Sequence, residues 1–533
     1  MKTLRGRPLM IGLTSACSMG FLLFGYDQGV MGGVLSTESF LAQFKDPDSV
    51  EQGLIVGLYD LGCLIGSLLA FGFGEKLGRK RAIYIGSVVV ILGSILQVTA
   101  HVVSHLIIGR IFTGVGVGIM TAIVPTWQAE VSRSDNRGAL ITVEAANIIF
   151  GFVLSNWVTL GASYAKSNFQ WIFPIALQMV FAIYLLIIGP FLVESPRWLA
   201  HHHSLEEATS VISRLLDLPE SHEEVIKIRN EIEMALQEEE SGHWTEIFRH
   251  GGQQNFRRMM LGFGALYMQQ MSGINTIGYY LPVILKDYVG LSDITARIVA
   301  AAGSMNYLVF SIVPIWFIDK LGRRICMIWG AVALSIISAL ICVGFNVPGT
   351  GGAIMTVVMY FLFYDAFAWS FLNVSWIYAP EINSLKMRSM GASLASASNW
   401  LFNGIAVTIT PIGLEKIGWR YYLIWTAFNA SFVPMVYFLY PETKGLSLEQ
   451  IDHIFEGKGH GWNCLTQGVK ESTRTAVDLG VPEQSSASHV PSAADEEKAL
   501  GHGTAQVSEG VVGSAGSSPD KATTANAEHE RRH

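Results

Sequence analysis

The chain has 533 residues, 50% of them hydrophobic, 11% aromatic and only 15% charged, with 54 glycines. Soluble domains carry about 25% charged residues, and the mean hydropathy of +0.38 is reached despite a polar final stretch from Gly457 to His533. This is the composition of an integral membrane protein. A net charge of −7 supplies no basic field for nucleic acid. Cys17, Cys63, Cys326, Cys342 and Cys464 are scattered, four of them in apolar runs, which excludes a disulfide scaffold and shows no metal-ligand spacing.

Apolar runs of bilayer-spanning length, about 20 residues, number twelve. In the first half they cover roughly 9–34, 53–73, 82–100, 102–125, 139–161 and 171–193. In the second half they cover 259–285, 296–318, 325–347, 352–380, 391–413 and 420–440. The charged segment 194–258 lies between, with amphipathic stretches at Ser204–Leu216 and Ser221–Leu236 that predict short surface helices. The tail 457–533 is rich in Ser, Ala, Gly and Glu, a composition of disorder. The expected domains are therefore 1–193, 194–258, 259–456 and 457–533.

The first span is too long for a signal-peptide core and shows no obvious cleavage site, so it predicts a retained helix. Basic residues crowd alternate loops: Lys2, Arg5 and Arg7; Lys76, Arg79, Lys80 and Arg81; Arg133 and Arg137; Lys320, Arg323 and Arg324; Lys386 and Arg388. The intervening loops hold few, such as Lys45, Lys166 and Lys286. Positive-inside bias puts both termini in the cytoplasm, and the plasma membrane is the default address. The sequons at Asn373 and Asn429 fall inside spans and predict no glycan.

The two halves echo each other. Glu75-Lys-Leu-Gly-Arg79 recurs as Asp319-Lys-Leu-Gly-Arg323, Glu130 with Arg137 as Glu381 with Arg388, and Glu194 as Glu442, at offsets of 244, 251 and 248 residues. The chain thus reads as all-α, with twelve transmembrane helices in two parallel six-helix repeats. That is the organisation of the major facilitator fold, where substrate binds between the halves near the midplane. Acids and arginines at helix ends can pair in one conformation and separate in another, biasing a two-state equilibrium; plain anchoring is the simpler alternative. Neither loop motif has a glycine four residues before its acid, since Phe71 and Ile315 stand there.

Further strings fall in order along the spans: Phe24-Gly-Tyr-Asp-Gln-Gly29, Gly109-Arg110, Glu194-Ser-Pro-Arg-Trp198, Gln269-Gln-Met-Ser-Gly-Ile-Asn275, Asn399-Trp400 and Pro441-Glu-Thr-Lys-Gly445. With these the chain resembles the sugar porter family of the major facilitator superfamily over roughly residues 9–456. Leu58-Tyr-Asp-Leu-Gly62, Pro125-Thr-Trp-Gln-Ala-Glu130 and Trp376-Ile-Tyr-Ala-Pro-Glu381 are similar to the fungal glycerol or polyol–proton symporters.

Asp27 and Arg110 are ionisable groups inside spans, and such residues usually pair and usually have a function. The resemblance implies that Asp27 takes the coupling proton with Arg110 as its partner; a static ion pair is the alternative. Gln269, Gln270 and Asn275 offer both donors and acceptors, which suits a ring of hydroxyls, and Gly273 between them breaks or thins the helix. Polar glue between helices is the plainer reading of the amides. The resemblance adds Asn306, Asn399 and Asn403 to the substrate site, Trp376 as a stacking surface, and Tyr279 and Tyr280 as outer-gate residues. Ala145, preceded by Glu144, stands where family members place a sugar-binding glutamine, and Ser370–Ser375 replaces a Gly-Pro-rich stretch. Both departures weigh against ordinary hexose recognition. Glu144 and Asp365 are further acids within spans, open to local pairing or to a second proton or polar-substrate role.

The His201–His203 triplet predicts no designed metal site. No Gly-rich phosphate loop ending in Lys-Ser/Thr appears, and nothing resembles a nucleophile–base pair, so neither an ATP-driven pump nor an enzyme is expected. The implied partners are a small neutral polyhydroxy substrate, protons and lipid, with no cofactor and no obligate second subunit. The expected function is proton-coupled symport of a sugar or polyol by alternating access. Passive uniport, carriage of another metabolite, and nutrient sensing are the rivals.

Overall fold

The computed structural model describes residues 4–132, 137–239, 254–316, 318–384, 387–444, 446, 451 and 454–455. All of them lie in one compact unit, residues 1–479, and their regular structure is entirely helical. The first half carries α1 (Gly6–Val34), the short α2 (Glu38–Phe44), α3 (Ser49–Leu77), α4 (Arg79–Val98), α5 (Val103–Val131), α6 (Arg137–Ser163) and α7 (Phe169–Ile188). The central segment forms α8 (Pro196–His202), α9 (Leu205–Leu216) and α10 (Glu223–Glu239). The second half carries α11 (Asn255–Gln270), α12 (Ile274–Asp287), α13 (Asp293–Ile312), α14 (Ile318–Leu321), α15 (Arg323–Asn346), α16 (Thr350–Phe367), α17 (Asn373–Ile382), α18 (Arg388–Ile417) and α19 (Tyr421–Leu439).

Among the described residues, nine stretches are long and apolar enough to cross a membrane. Six coincide with the first-half spans, and the last, Met390–Leu439, takes in most of α18 and all of α19 around a tight turn at Gly418–Arg420. The expected spans 259–285 and 296–318 are helical but do not qualify as single apolar helices. The first is divided into α11 and α12 and carries three carboxamides, while α13 carries Arg297 and Asn306. Polar groups that face the protein interior lower the mean hydropathy without forbidding a span. Lipid-facing positions are visible in the exposed Ile85, Val88, Leu92 and Ile95 along α4, and in Trp329, Ile336 and Val343 along α15.

Small residues bring the helices close, as membrane packing requires where no hydrophobic effect drives association. Gly25, Gly29 and Gly33 form a stripe of period four on α1 against α6, where a Cβ on Gly25 would come within 1.7 Å of the Ile148 carbonyl oxygen. Between α3 and α5 the stripes are reciprocal: Gly62 and Gly66 meet the Ile111 and Val115 carbonyls, and Gly114 and Gly118 meet those of Tyr59 and Cys63. This near backbone contact seats Arg110, one turn before Gly114, directly against α3.

In the central segment, Ser204 caps α9 by accepting from the Glu207 N–H at 3.2 Å, and the helix buries Ala208, Val211 and Ile212. The expected boundaries shift slightly, since Ser204 is the cap and α10 begins at Glu223. The tail 457–533 lies outside the described residues.

Candidate functional site

Gly273 divides the seventh span as its position suggests. It adopts φ +98°, and a Cβ there would lie 2.8 Å from Cγ of Trp425. The break aims the ends of α11 and α12 at a cavity of about 80 Å³ lined by residues of both halves. Gln269, Gln270, Asn275 and Tyr279 line it together with Trp376 and Asn399. Gln270 is the hub: it receives a hydrogen bond from Asn275 Nδ2 at 2.5 Å and donates to Asn399 Oδ1 and to Gln269 Oε1. Gln269 Nε2 is held by the Phe371 carbonyl at 3.0 Å, beside a π turn at Ala368–Leu372. That turn occupies part of the Ser370–Ser375 departure and leads into Trp376, which is 40% exposed and so has an open face.

Other expected site residues lie elsewhere. Asn306 does not line the cavity; its Nδ2 donates to Asp365 Oδ1 at 2.5 Å. Asn403 is also withheld, donating to Asp60 Oδ1 at 3.1 Å and to the Tyr279 hydroxyl at 3.4 Å. Tyr280 donates to the Val407 carbonyl at 3.1 Å. Three polar lining groups were not singled out from the sequence: Gln28, next to Asp27, and Tyr307 and Tyr364, stacked 4.9 Å apart. Apart from Gln28, the first-half wall is apolar, built from Phe24, Ile148, Ile149 and Phe152. Ala145 and Glu144 are not part of it, so the departure from the family glutamine leaves that wall without a carboxamide there.

Beside the cavity lies a buried charge cluster. Arg110 Nη1 donates to Asp27 Oδ1 at 2.7 Å, and neither side chain has any exposure. Arg110 Nε also donates to the Ile55 carbonyl at 3.2 Å, and the guanidinium stacks 4.3 Å above the Tyr59 ring. Asp60, quoted in the sequence only as part of a string, is equally buried.

At the end of the bundle that carries the N-terminus, the repeated motifs form the same construction twice. Arg79 grips Glu130 through two bonds of 2.9 and 2.7 Å, and Arg323 grips Glu381 through two of 3.2 and 2.9 Å. Glu194 accepts from the Arg79 N–H at 3.0 Å, and Glu442 from the Arg323 N–H at 2.8 Å, each at a helix N-terminus where partial positive charge favours an anion. All these pairs stay within one half. The side chains of Glu75, Arg137, Asp319 and Arg388 lie outside the described residues. At the opposite end the halves meet directly: Arg297 donates to the Gly33 carbonyl and to Ser36 Oγ, both at 2.7 Å, and a Cβ on Gly32 would lie 2.2 Å from the Tyr279 carbonyl oxygen. The structure is closed at the end of α1 far from its N-terminus.

The profile of the family described as "Sugar (and other) transporter" matches residues 13–455. The MFS-type transporter oryC of Aspergillus oryzae is 41% identical over 85% of this chain and 86% of its own. The sugar transporter STL1 of Saccharomyces cerevisiae is 36% identical over 85% of this chain and 82% of its own. Among solved structures, the partially occluded inward-open conformation of the xylose transporter XylE from E. coli superposes with a TM-score of 0.70, at 23% identity, over 83% of this chain and 100% of that one. The likeness to XylE shows the all-helical fold, and the family match spans nearly the whole helical region. The chain belongs to the sugar (and other) transporter family of the major facilitator superfamily, and is a multi-pass membrane transporter rather than an enzyme.

Proposed function

We propose that the protein imports a small neutral polyhydroxylated compound by proton symport. It would act as a monomer of twelve transmembrane helices in two six-helix halves, 1–193 and 259–456, joined by the cytoplasmic segment 194–258. Both termini would be cytoplasmic and the site of action the plasma membrane. The observation that carries this reading is adjacency: Asp27, fully buried against Arg110, is followed in sequence by Gln28, which lines the amide-rich cavity. Proton and substrate would therefore load at neighbouring positions on one helix. A structure similar in fold is described as a proton:xylose symporter, at 24% identity.

In this cycle Asp27 releases Arg110 on taking a proton and regains it on losing one. Gln269, Gln270, Asn275 and Asn399 bind hydroxyls, and Trp376 covers the apolar face of a ring. The halves then rock about the loaded site, with Tyr279 and Tyr280 at the seam that opens. One proton would supply about 2.3 kcal/mol per 100 mV and about 1.4 kcal/mol per pH unit. The sum supports accumulation of a neutral solute on the order of several hundred-fold.

The largely apolar first-half wall favours a second reading, carriage of a metabolite with one hydrophobic face. Uptake of labelled glycerol, glucose, xylose, a disaccharide and a longer polyol by transporter-deficient cells separates the two. Alkalinisation of the medium with one substrate, abolished by Asp27→Asn, supports the proposal. Flux without alkalinisation overturns symport in favour of uniport, and no flux across the panel favours the second reading.

A further inference from the structure

Asp60 sits near the middle of α3, where four other helices converge, with no exposure. Its charged neighbours are Arg110 on α5 and Asp27 on α1. The titratable groups around it are Tyr59 and Cys63 on its own helix and Tyr279 and Tyr280 on α12. From α18 comes Asn403, whose Nδ2 donates to Asp60 Oδ1 at 3.1 Å. The seam holds these groups at close range. A Cβ on Gly404 would lie 3.1 Å from Asp60 Cβ, and one on Gly57 would come within 1.8 Å of Thr408 Oγ1.

Counting charges and donors gives the inference. The site holds one guanidinium, and it forms its ion pair with Asp27. A second ionised carboxylate would leave a net negative charge in an enclosed volume, which desolvation strongly disfavours. Like carboxylates held close around a single cation share a proton rather than both ionising. The hydrogen bonds agree with the charges. Asp60 Oδ2 and Asn403 Oδ1 are both buried acceptors with no donor among the described residues. One proton on Asp60 Oδ2 converts that oxygen into a donor and gives Asn403 Oδ1 its partner. Together with the Nδ2 bond already present, this closes a two-bond ring of the kind carboxylic acids form with primary amides.

We propose that Asp60 is a second proton-binding residue, distinct from Asp27, and that its proton latches α3 of the first half to α18 of the second through Asn403. The proposal rests on the proton-coupled carrier reading above and extends it. With Asp27 ionised against Arg110, the proton resides on Asp60 and the far end of the carrier is held shut. When that proton leaves to water, the ring opens to a single bond, the second buried charge appears, and the seam loosens. Protonating Asp27 instead frees Arg110 to neutralise Asp60, so the two carboxyls hand one cation between them.

The test uses the full chain in proteoliposomes without substrate and reads the protonated-carboxyl stretch in infrared spectra as pH is stepped from mildly alkaline to mildly acidic. The wild type should show such a band at neutral pH. Asp60→Asn should lose it, and Glu144→Gln should keep it. Asn403→Leu, which leaves the carboxyl in place and removes its acceptor, should shift the band to higher frequency, so the result does not depend on one variant folding. Wild-type and Asp60→Asn spectra that superimpose would overturn the latch, as would an unmoved band in Asn403→Leu, since water would then satisfy these oxygens. No substrate is involved, so an empty uptake panel leaves this test standing. Coupled uptake with superimposable spectra would leave Asp27 as the proton site and remove Asp60.

Discussion

Arg110 reaches Asp27 with a 2.7 Å hydrogen bond in a volume where neither side chain meets solvent. A buried pair of this kind adds little stability over an apolar pair of equal volume, but losing one partner strands the other. Asp27→Asn preserves the shape and removes the partner that Arg110 holds here, leaving Asp60 as the remaining counter-charge beside it. We expect the variant to be less stable by up to about 3–5 kcal/mol, read as a lower melting temperature in detergent. Substrate exchange should outlast net accumulation in it. Loss of alkalinisation with exchange intact is the expected split; unchanged alkalinisation would make the pair purely structural.

Two glycines in the broken seventh span should respond in opposite ways. Gly273 stands at φ +98° with Trp425 2.8 Å from any added Cβ. Gly273→Ala therefore meets both backbone strain and a rigid neighbour, an effect on the order of 1–3 kcal/mol, and should lower both stability and transport. Gly278 lies within α12, lines the cavity, and has nothing within 4 Å of a built Cβ. Gly278→Ala gains up to about 1 kcal/mol of helix propensity while placing a methyl group in the cavity. Melting temperature should hold or rise as KM rises. Parallel loss of stability in both variants would contradict the assigned geometry.

Much of this was legible because membrane sequence patterns are physically crude. Span length follows bilayer thickness, so six first-half spans could be read from apolar runs alone. The doubled loop motifs were legible because an arginine, a carboxylate and a helix N-terminus must recur together to make the construction seen at Arg79 and Arg323. What stayed hidden was which face each polar residue turns. Asn306 and Asn403 look like substrate ligands until Asp365 and Asp60 are seen to occupy them. Asp60 itself could not be weighed, because an acid within a span reveals its role only through its partners, which here come from four other helices. Gln28 was the most accessible of the omissions, since it follows the singled-out Asp27 and precedes the packing glycine Gly29.

The amide cluster gives a third expectation. Gln270 links Asn275, Asn399 and Gln269, so Gln270→Ala removes a proposed substrate ligand and also leaves two neighbouring amides without this partner. A loss of about 1.4 kcal/mol corresponds to tenfold in affinity, and we expect KM to rise by at least roughly that factor. Trp376→Ala should raise KM for ring substrates more than for linear polyols, because it removes a surface rather than a hydrogen bond. Equal effects on both substrate types, in uptake assays at fixed pH, would argue against stacking at Trp376.

The closed end provides the last prediction. Arg297 is held by Asp293 Oδ2 at 2.9 Å within its own helix and ties the first half through Gly33 and Ser36. Hydrogen bonds from a charged donor contribute about 1.5–3 kcal/mol each, and these two exist only when the far end is shut. Arg297→Ala therefore removes stabilisation from one conformation alone, whereas loss of the Arg79–Glu130 pair acts within one half. In a two-state carrier the differential energy sets the population shift, here roughly tenfold or more towards the opened far end. Fluorescent labels at Val50→Cys on α3 and Ile294→Cys on α13, both exposed, report that opening as a longer inter-dye distance. The four described native cysteines are buried, which favours labelling at the introduced sites. Arg297→Lys keeps the charge with fewer donors and should fall between wild type and Arg297→Ala. Identical distance distributions in all three would mean that the glycine contacts at Gly32 and Gly57, rather than Arg297, hold the end closed.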